Sequence, residues 1–334
     1  MKVGFFEIEG WEKQIFQKEF PGLEFYFDSK ALTKEQLPDE KDFDILSVFV
    51  GSKIDAAVLA DCPNLKYITT RSMGFDHIDL AAALRQNILV SNVPHYGGET
   101  VAEWTLALIL SLLRKVYQAV DQVKETGSFE VKNLRGIELA GKTLGVIGTG
   151  RIGREVIKLG QCFGMDVIAF DVRPDANLAN QVGFEYKKSL EELLPLADVV
   201  TLHVNYMPAT HHLLNQSNVK LMKRGSYLIN TSRGPVVETE AICQALSKGI
   251  LAGAGLDVLE EEGVIKDEWE FLSRGHPEEH NLKTILADHV LMKMDNVLIT
   301  PHNAFNSQEA LQRITQTTIE NIQGFLEGKP VNLI

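Results

Sequence analysis

Three polar residues close three different apolar runs in the second half of the chain. Arg233 follows YLINTS, Glu262 lies five residues past Asp257 at the end of LAGAGLDV, and His302 follows NVLITP. Arginine presents a planar fork that matches a carboxylate and keeps its charge throughout. Histidine titrates near neutrality, and a neighbouring glutamate favours its protonated form. An enzyme that moves a hydride to or from an alcohol or ketone needs such groups beside its cofactor. The cofactor is legible as well. Residues 143–153 read TLGVIGTGRIG, a short apolar run followed by Gly148, Gly150 and Gly153 in the spacing G-x-G-x-x-G. The first glycine permits a tight turn, the second lets the backbone approach a pyrophosphate, and the third lets a helix pack close to the strand. That helix then turns its free N–H groups toward the phosphates. Asp171 closes a second apolar run, DVIAF, eighteen residues beyond Gly153. A carboxylate there accepts hydrogen bonds from ribose hydroxyls and repels a 2′-phosphate, which assigns NAD rather than NADP. Arg173, two residues on, opposes that repulsion.

Residues so far apart converge only if strand ends bring them together, as at the carboxyl edge of an open α/β sheet. The first hundred residues alternate strand-like runs at 2–6, 23–27, 45–50, 65–70 and 88–93 with helical ones such as 56–61 and 80–86. This βαβ alternation implies a parallel sheet covered on both faces. A second series has strands at 144–147, 166–170, 199–204, 226–230, 253–259 and 296–300, six strands with the fingerprint after the first. The expected fold is α/β with two doubly wound parallel-sheet domains. A flavodoxin-like substrate domain takes residues 1–98 and 305–334, and a Rossmann NAD-binding domain, 99–304, is inserted within it. Residues 99–124 read as one long helical stretch, too apolar for a one-sided surface helix, and are expected to pack between domains or against a second subunit. Residues 263–295 form a long polar connection, and 308–326 one more helix.

With 45% hydrophobic and 23% charged residues the chain is that of an ordinary globular protein, and its net charge of −12 argues against nucleic-acid or anionic-membrane partners. Cys62, Cys162 and Cys243 form no C-x-x-C and read as reduced thiols of a cytoplasmic protein. The first ten residues hold too short an apolar run for a signal peptide, and no stretch reaches the roughly 18 apolar residues of a membrane span. His276-Pro-Glu-Glu-His280 fits a zinc-protease pattern, but Pro277 prefers the first helical position and leaves His276 outside the helix. A polar loop is expected there and no metal. His203 ends a strand and is placed near the cofactor, whereas His211 and His212 read as surface-loop residues.

TSRGPVV, GLDVLEEE and NVLITPHNAF, with the fingerprint and RSMGFDHIDL at 71–80, resemble the D-isomer-specific 2-hydroxyacid dehydrogenase family over nearly the whole chain. The resemblance implies that Arg233 grips the substrate carboxylate, Glu262 pairs with the catalytic histidine, and His302 is the acid–base. Backbone N–H groups of Met73 and Gly74 would also bind the carboxylate. The cofactor set is then Gly148, Gly150, Arg151, Ile152, Gly153 and Asp171, together with His203, Val204, Asn205, Thr210, Thr231, Ser232 and Asp257. Tyr96, Phe305 and Phe49 are assigned to the substrate. Glu262-Gly263, the long connection after it and PHNAF in place of P-H-I-G-S look most like the D-lactate or D-2-hydroxyisocaproate branch. His95 and Asn205 depart from that pattern. The resemblance implies a homodimer acting on a small 2-keto or 2-hydroxy acid, pyruvate/D-lactate first, with isocaproate- and phenyllactate-type substrates as alternatives. A NAD-sensing, corepressor-like binding protein is the alternative of a different class.

Overall fold

The computed structural model describes residues 1–266 and 281–334. The chain divides into two compact units, residues 1–96 with 306–334, and residues 97–305. The His276–His280 motif lies outside the described residues.

In the smaller unit five short strands, β1 (Lys2–Phe5), β2 (Glu24–Phe27), β3 (Ile45–Val48), β4 (Tyr67–Thr70) and β5 (Leu89–Ser91), form a parallel sheet in the order β2-β1-β3-β4-β5. β1, β3 and β4 are buried along their whole length. They therefore read as continuous apolar runs rather than alternating ones. One face packs on Leu59, Ile78 and Ala82, the other on Phe16, Ile319 and Ile322. The last two belong to the helix Gln308–Leu326, so the end of the chain completes this unit's core.

The strand order reverses between β1 and β3, and the crevice there is filled from within. The Glu7 carboxylate accepts from the backbone N–H groups of Phe49 (3.1 Å), Gly51 (2.9 Å) and Ser52 (2.9 Å) and from the Ser52 hydroxyl (2.6 Å). Glu7 itself sits in the left-handed region, at φ 54°. Arg71, fully buried, holds the neighbouring backbone by donating to the carbonyls of Phe6 (2.8 Å) and Glu7 (2.7 Å).

The larger unit is a seven-stranded parallel sheet in the order β12-β11-β10-β9-β6-β7-β8. Its strands are β6 (Thr143–Ile147), β7 (Asp166–Phe170), β8 (Glu185–Tyr186), β9 (Val199–Leu202), β10 (Ser226–Asn230), β11 (Leu251–Leu256) and β12 (Val297–Ile299). The six expected strands are present and β8 adds a seventh at the edge. The order reverses between β6 and β9, which puts the fingerprint turn at the point where this fold class holds a dinucleotide.

One expectation needs correction. Residues 99–124 are not one helix but two, Gly98–Leu113 and Val116–Thr126, broken at Lys115, which is left-handed at φ 54°. The cause lies elsewhere in the chain. Ile137 N–H donates to the Leu113 carbonyl at 2.9 Å, and Gly136 passes so close to that carbonyl that a side chain would collide with it. The apolar face of the first helix is also satisfied inside its own unit, where Ala102, Leu106, Ile109 and Leu113 pack with Val156, Ile157 and Ile229. The helix Glu262–Lys266 leads into the polar connection 263–295, and Leu282–Met292 within it is helical too.

Candidate active site

The fingerprint turn leaves β6 with Gly148 at φ 93°, its Cα so close to the His203 carbonyl that a Cβ would lie 2.5 Å from that oxygen. A Cβ on Gly153 would collide with the Gly148 carbonyl, whereas one on Gly150 would meet open space. The tight turn and the close helix are thus structural needs, and the middle glycine faces the room a ligand requires. Gly150 caps the helix Arg151–Cys162 with no side-chain hydrogen bond, and the N-terminus of that helix faces the turn. Asp171, just past β7, is held by Thr149 N–H (2.7 Å), the Thr149 hydroxyl (3.1 Å) and Arg173 N–H (2.8 Å). The Thr149 hydroxyl also meets Tyr186 Oη at 2.8 Å, so the edge strand β8 braces the acid. Open backbone, a helix N-terminus and a fixed carboxylate at this spacing fit a dinucleotide.

The loop after β9 carries His203, Val204, Asn205 and Thr210. His203 N–H donates to the Ile147 carbonyl (2.8 Å), and its Nε2 lies 2.9 Å from the Thr201 hydroxyl. Its Nδ1 is buried and has no hydrogen-bond partner in the structure. Burial lowers the imidazole pKa to about 3, which keeps it neutral. Thr210 donates its hydroxyl to the Asn205 carbonyl at 2.7 Å and so closes the loop on itself.

At the end of β10 the Asn230 side chain builds the turn that carries Arg233. It donates to the Arg233 carbonyl (2.9 Å) and accepts from Ser232 N–H (3.0 Å) and the Ser232 hydroxyl (2.8 Å). Thr231 is tied by its hydroxyl to Thr105 at 3.0 Å, and Arg233 Nη1 donates to the Ser232 carbonyl at 2.8 Å. Asn230 is absent from the sequence-derived set. Its signal was there as a short polar residue ending a strand just before a turn.

His302 follows β12 in the left-handed region, at φ 50°. Such a conformation persists only where the surroundings hold it. Asp257 does so: its carbonyl accepts from His302 N–H (2.9 Å), and its carboxylate accepts from Asn303 N–H and Ala304 N–H (both 2.9 Å) and from the Trp104 indole (3.1 Å). Burial raises the Asp257 pKa, against the pull of these donors. Here Asp257 acts on the backbone of the histidine. The His302 ring then sets Nδ1 at 2.9 Å from Glu262 Oε1, with side chains 16% and 30% exposed, which leaves Nε2 as the nitrogen able to face a substrate. Phe305 stands edge-on to the imidazole, ring centroids 6.5 Å apart.

Arg233, Glu262, His302, Asp257 and Phe305 all belong to the larger unit, as does the cofactor set. Phe49, Met73, Gly74 and Tyr96 belong to the smaller one, just past β3, β4 and β5. There Met73 offers its carbonyl to Asn92 Nδ2 (2.8 Å), Gly74 to the Ser72 hydroxyl (2.6 Å) and Tyr96 to Arg313 Nε (2.9 Å). The Phe49 ring lies 5.9 Å from the Arg71 guanidinium. One reading changes. His212 is no plain surface-loop residue, because its Nε2 lies 2.7 Å from Glu260 Oε1 and its side chain is two-thirds covered.

Residues 106–304 match the model of the D-isomer specific 2-hydroxyacid dehydrogenase NAD binding domain. The chain is 37% identical to 2-hydroxyacid dehydrogenase A of Aspergillus oryzae, over 98% of this chain and 92% of that one. It is 36% identical to a glyoxylate reductase of Thermofilum pendens, over 89% of this chain and 82% of that one. Among solved structures it resembles D-lactate dehydrogenase from Aquifex aeolicus, complexed with NAD and lactic acid. The TM-score is 0.87 at 37% identity, covering 98% of this chain and 96% of that one. The chain therefore belongs to the D-isomer specific 2-hydroxyacid dehydrogenase family, and NAD is the cofactor of its Rossmann unit.

Proposed function

We propose that the chain is a D-lactate dehydrogenase-like enzyme that reduces a small 2-keto acid, pyruvate first, to the D-2-hydroxy acid. The observation that carries this is the His302–Glu262 pair at 2.9 Å, on the same sheet edge as Arg233. When bound, the reduced nicotinamide supplies the hydride that reaches the carbonyl carbon. His302, as imidazolium, gives the Nε2 proton to the carbonyl oxygen and is left neutral. Glu262 stabilises the charged ring before that transfer. Arg233 holds the substrate carboxylate as a fork. Phe305, edge-on to the His302 ring, offers an apolar face suited to a methyl or short alkyl group. Each methylene is worth only about 1–3 kcal/mol in such a pocket, so 2-ketoisocaproate and phenylpyruvate are the rivals to compare.

The enzyme works as a homodimer in the cytoplasm in this reading. Val116, Val120 and Val123, 48%, 42% and 39% exposed, form an apolar stripe along one helix and support self-association. The three cysteines, all free thiols, suit a reducing compartment. The test is NADH oxidation with a panel of 2-keto acids, followed by chiral analysis of the product. D-lactate from pyruvate is expected. L-lactate, or no turnover of any unphosphorylated 2-keto acid, overturns the assignment, and NAD binding without turnover would leave a NAD-sensing protein.

A further inference from the structure

We propose that Glu260 is a positioning residue for the acid–base pair, its carboxylate holding the turn that presents Glu262 to His302 and tying it to the loop after β9. This rests on the roles given to His302 and Glu262 above. Glu260 lies two residues before Glu262, and both of its carboxylate oxygens are committed. Oε1 meets His212 Nε2 at 2.7 Å, and Oε2 accepts from Thr239 N–H at 2.6 Å, at the start of the helix Thr239–Ser247. The side chain is 11% exposed, so solvent cannot replace these partners cheaply. The start of the turn is closely packed as well. The Leu259 carbonyl lies so close to Gly234, next to Arg233, that a side chain at 234 would collide with it. Beyond Glu260, the Glu261 N–H donates to Asp288 at 3.3 Å.

His212 is itself fixed. It is left-handed at φ 49°, and its N–H donates to the Pro235 carbonyl at 2.8 Å. Its ring stacks on His211 at 3.9 Å, and the loop carrying both is the one closed by Thr210 and Asn205. One carboxylate thus joins the turn of Glu262, the segment after Arg233 and the loop after β9. Among the described residues, the ionisable groups facing Glu260 include His212 and Asp288, and those facing His302 include Glu262 and Asp257. A structural strut alone would affect stability. A positioning residue must act through Glu262.

The experiment is a double-mutant cycle on the full-length chain, Glu260→Ala against Glu262→Gln, read as kcat and KM for pyruvate and as the NMR titration midpoint of His302. Glu260→Ala is expected to lower kcat about tenfold, leave the KM for NADH within about twofold, and lower the His302 midpoint. In the Glu262→Gln background the same change is expected to alter kcat by less than about twofold and leave the midpoint in place. Glu260→Gln keeps an acceptor for Thr239 N–H and an amide for His212, and is expected to restore most of the activity. An equal loss in both backgrounds, or an unmoved His302 midpoint in Glu260→Ala, overturns the proposal. If Glu262→Gln alone moves neither readout, the role given to Glu262 fails first, and this inference with it. Where the chain turns over no 2-keto acid, the His302 midpoint still decides. Should Glu260→Ala not fold, His212→Ala, which removes one of the two supports, is expected to shift the midpoint in the same direction, and no shift counts against the proposal.

Discussion

At the scale of single residues the chemistry divides between a fork and a proton. Arg233 is aimed by Asn230 and Ser232, so its guanidinium geometry matters as well as its charge. Arg233→Lys keeps the charge and loses the paired donors. A loss of at least about 2 kcal/mol, roughly thirtyfold in kcat/KM for the keto acid, is expected, with NADH affinity nearly unchanged. Near-normal turnover would remove Arg233 from the site. For the proton, reduction needs the imidazolium and Glu262 sits against Nδ1. A carboxylate there stabilises the imidazolium that gives up the proton. Glu262→Gln should pull the active limb of ketone reduction to lower pH while harming hydroxy-acid oxidation less. An unshifted profile would redirect attention to Glu261. Arg233 and His302 were visible in the sequence because each follows an apolar run, and Glu262 because of the family resemblance. What holds them was not. His212 and Glu260 meet across 48 residues of chain, which no local pattern encodes.

At the scale of elements, buried charge sets how the larger unit responds to pH. Asp288, on the helix Leu282–Met292, is fully buried, and burial raises its pKa to about 7, with Glu260 and Glu261 adding to the rise. A carboxyl whose folded pKa lies above its unfolded value favours the folded state below the unfolded value of about 3.9, and that advantage is lost as pH rises through the folded one. The wild type should therefore lose stability relative to Asp288→Asn between about pH 4 and 7, by no more than about 4 kcal/mol. Parallel melting curves across that range check it, and identical pH slopes would show that Asp288 stays ionised in the fold. Elements also mark where sequence reading ran out. Buried strands of four to six residues announce themselves by composition, but β8 has two residues, Glu185 and Tyr186, and no period to read. The break at Lys115 is imposed by Gly136 and Ile137 arriving at the Leu113 carbonyl, so nothing within 99–124 signals it.

At the scale of the whole molecule, two parallel sheets each reverse their strand order once, and the two reversals are used differently. In the larger unit the reversal lies beside Gly148 and Gly150, where backbone donors are left for a nucleotide. In the smaller unit Glu7 takes three backbone N–H groups for itself. That carboxylate is a built-in guest: it sits in a concave cluster of amides of the kind that elsewhere captures a free anion. Emptying the seat should turn the unit into a receptor. Glu7→Ala would leave the amides of Phe49, Gly51 and Ser52 converging on nothing, and an oxyanion such as sulfate is the natural replacement. The melting temperature of the variant should climb with added sulfate beyond the rise seen in the wild type at equal ionic strength. An equal response would mean that the loop closes over the gap, and that the smaller unit's shape survives without its own anion.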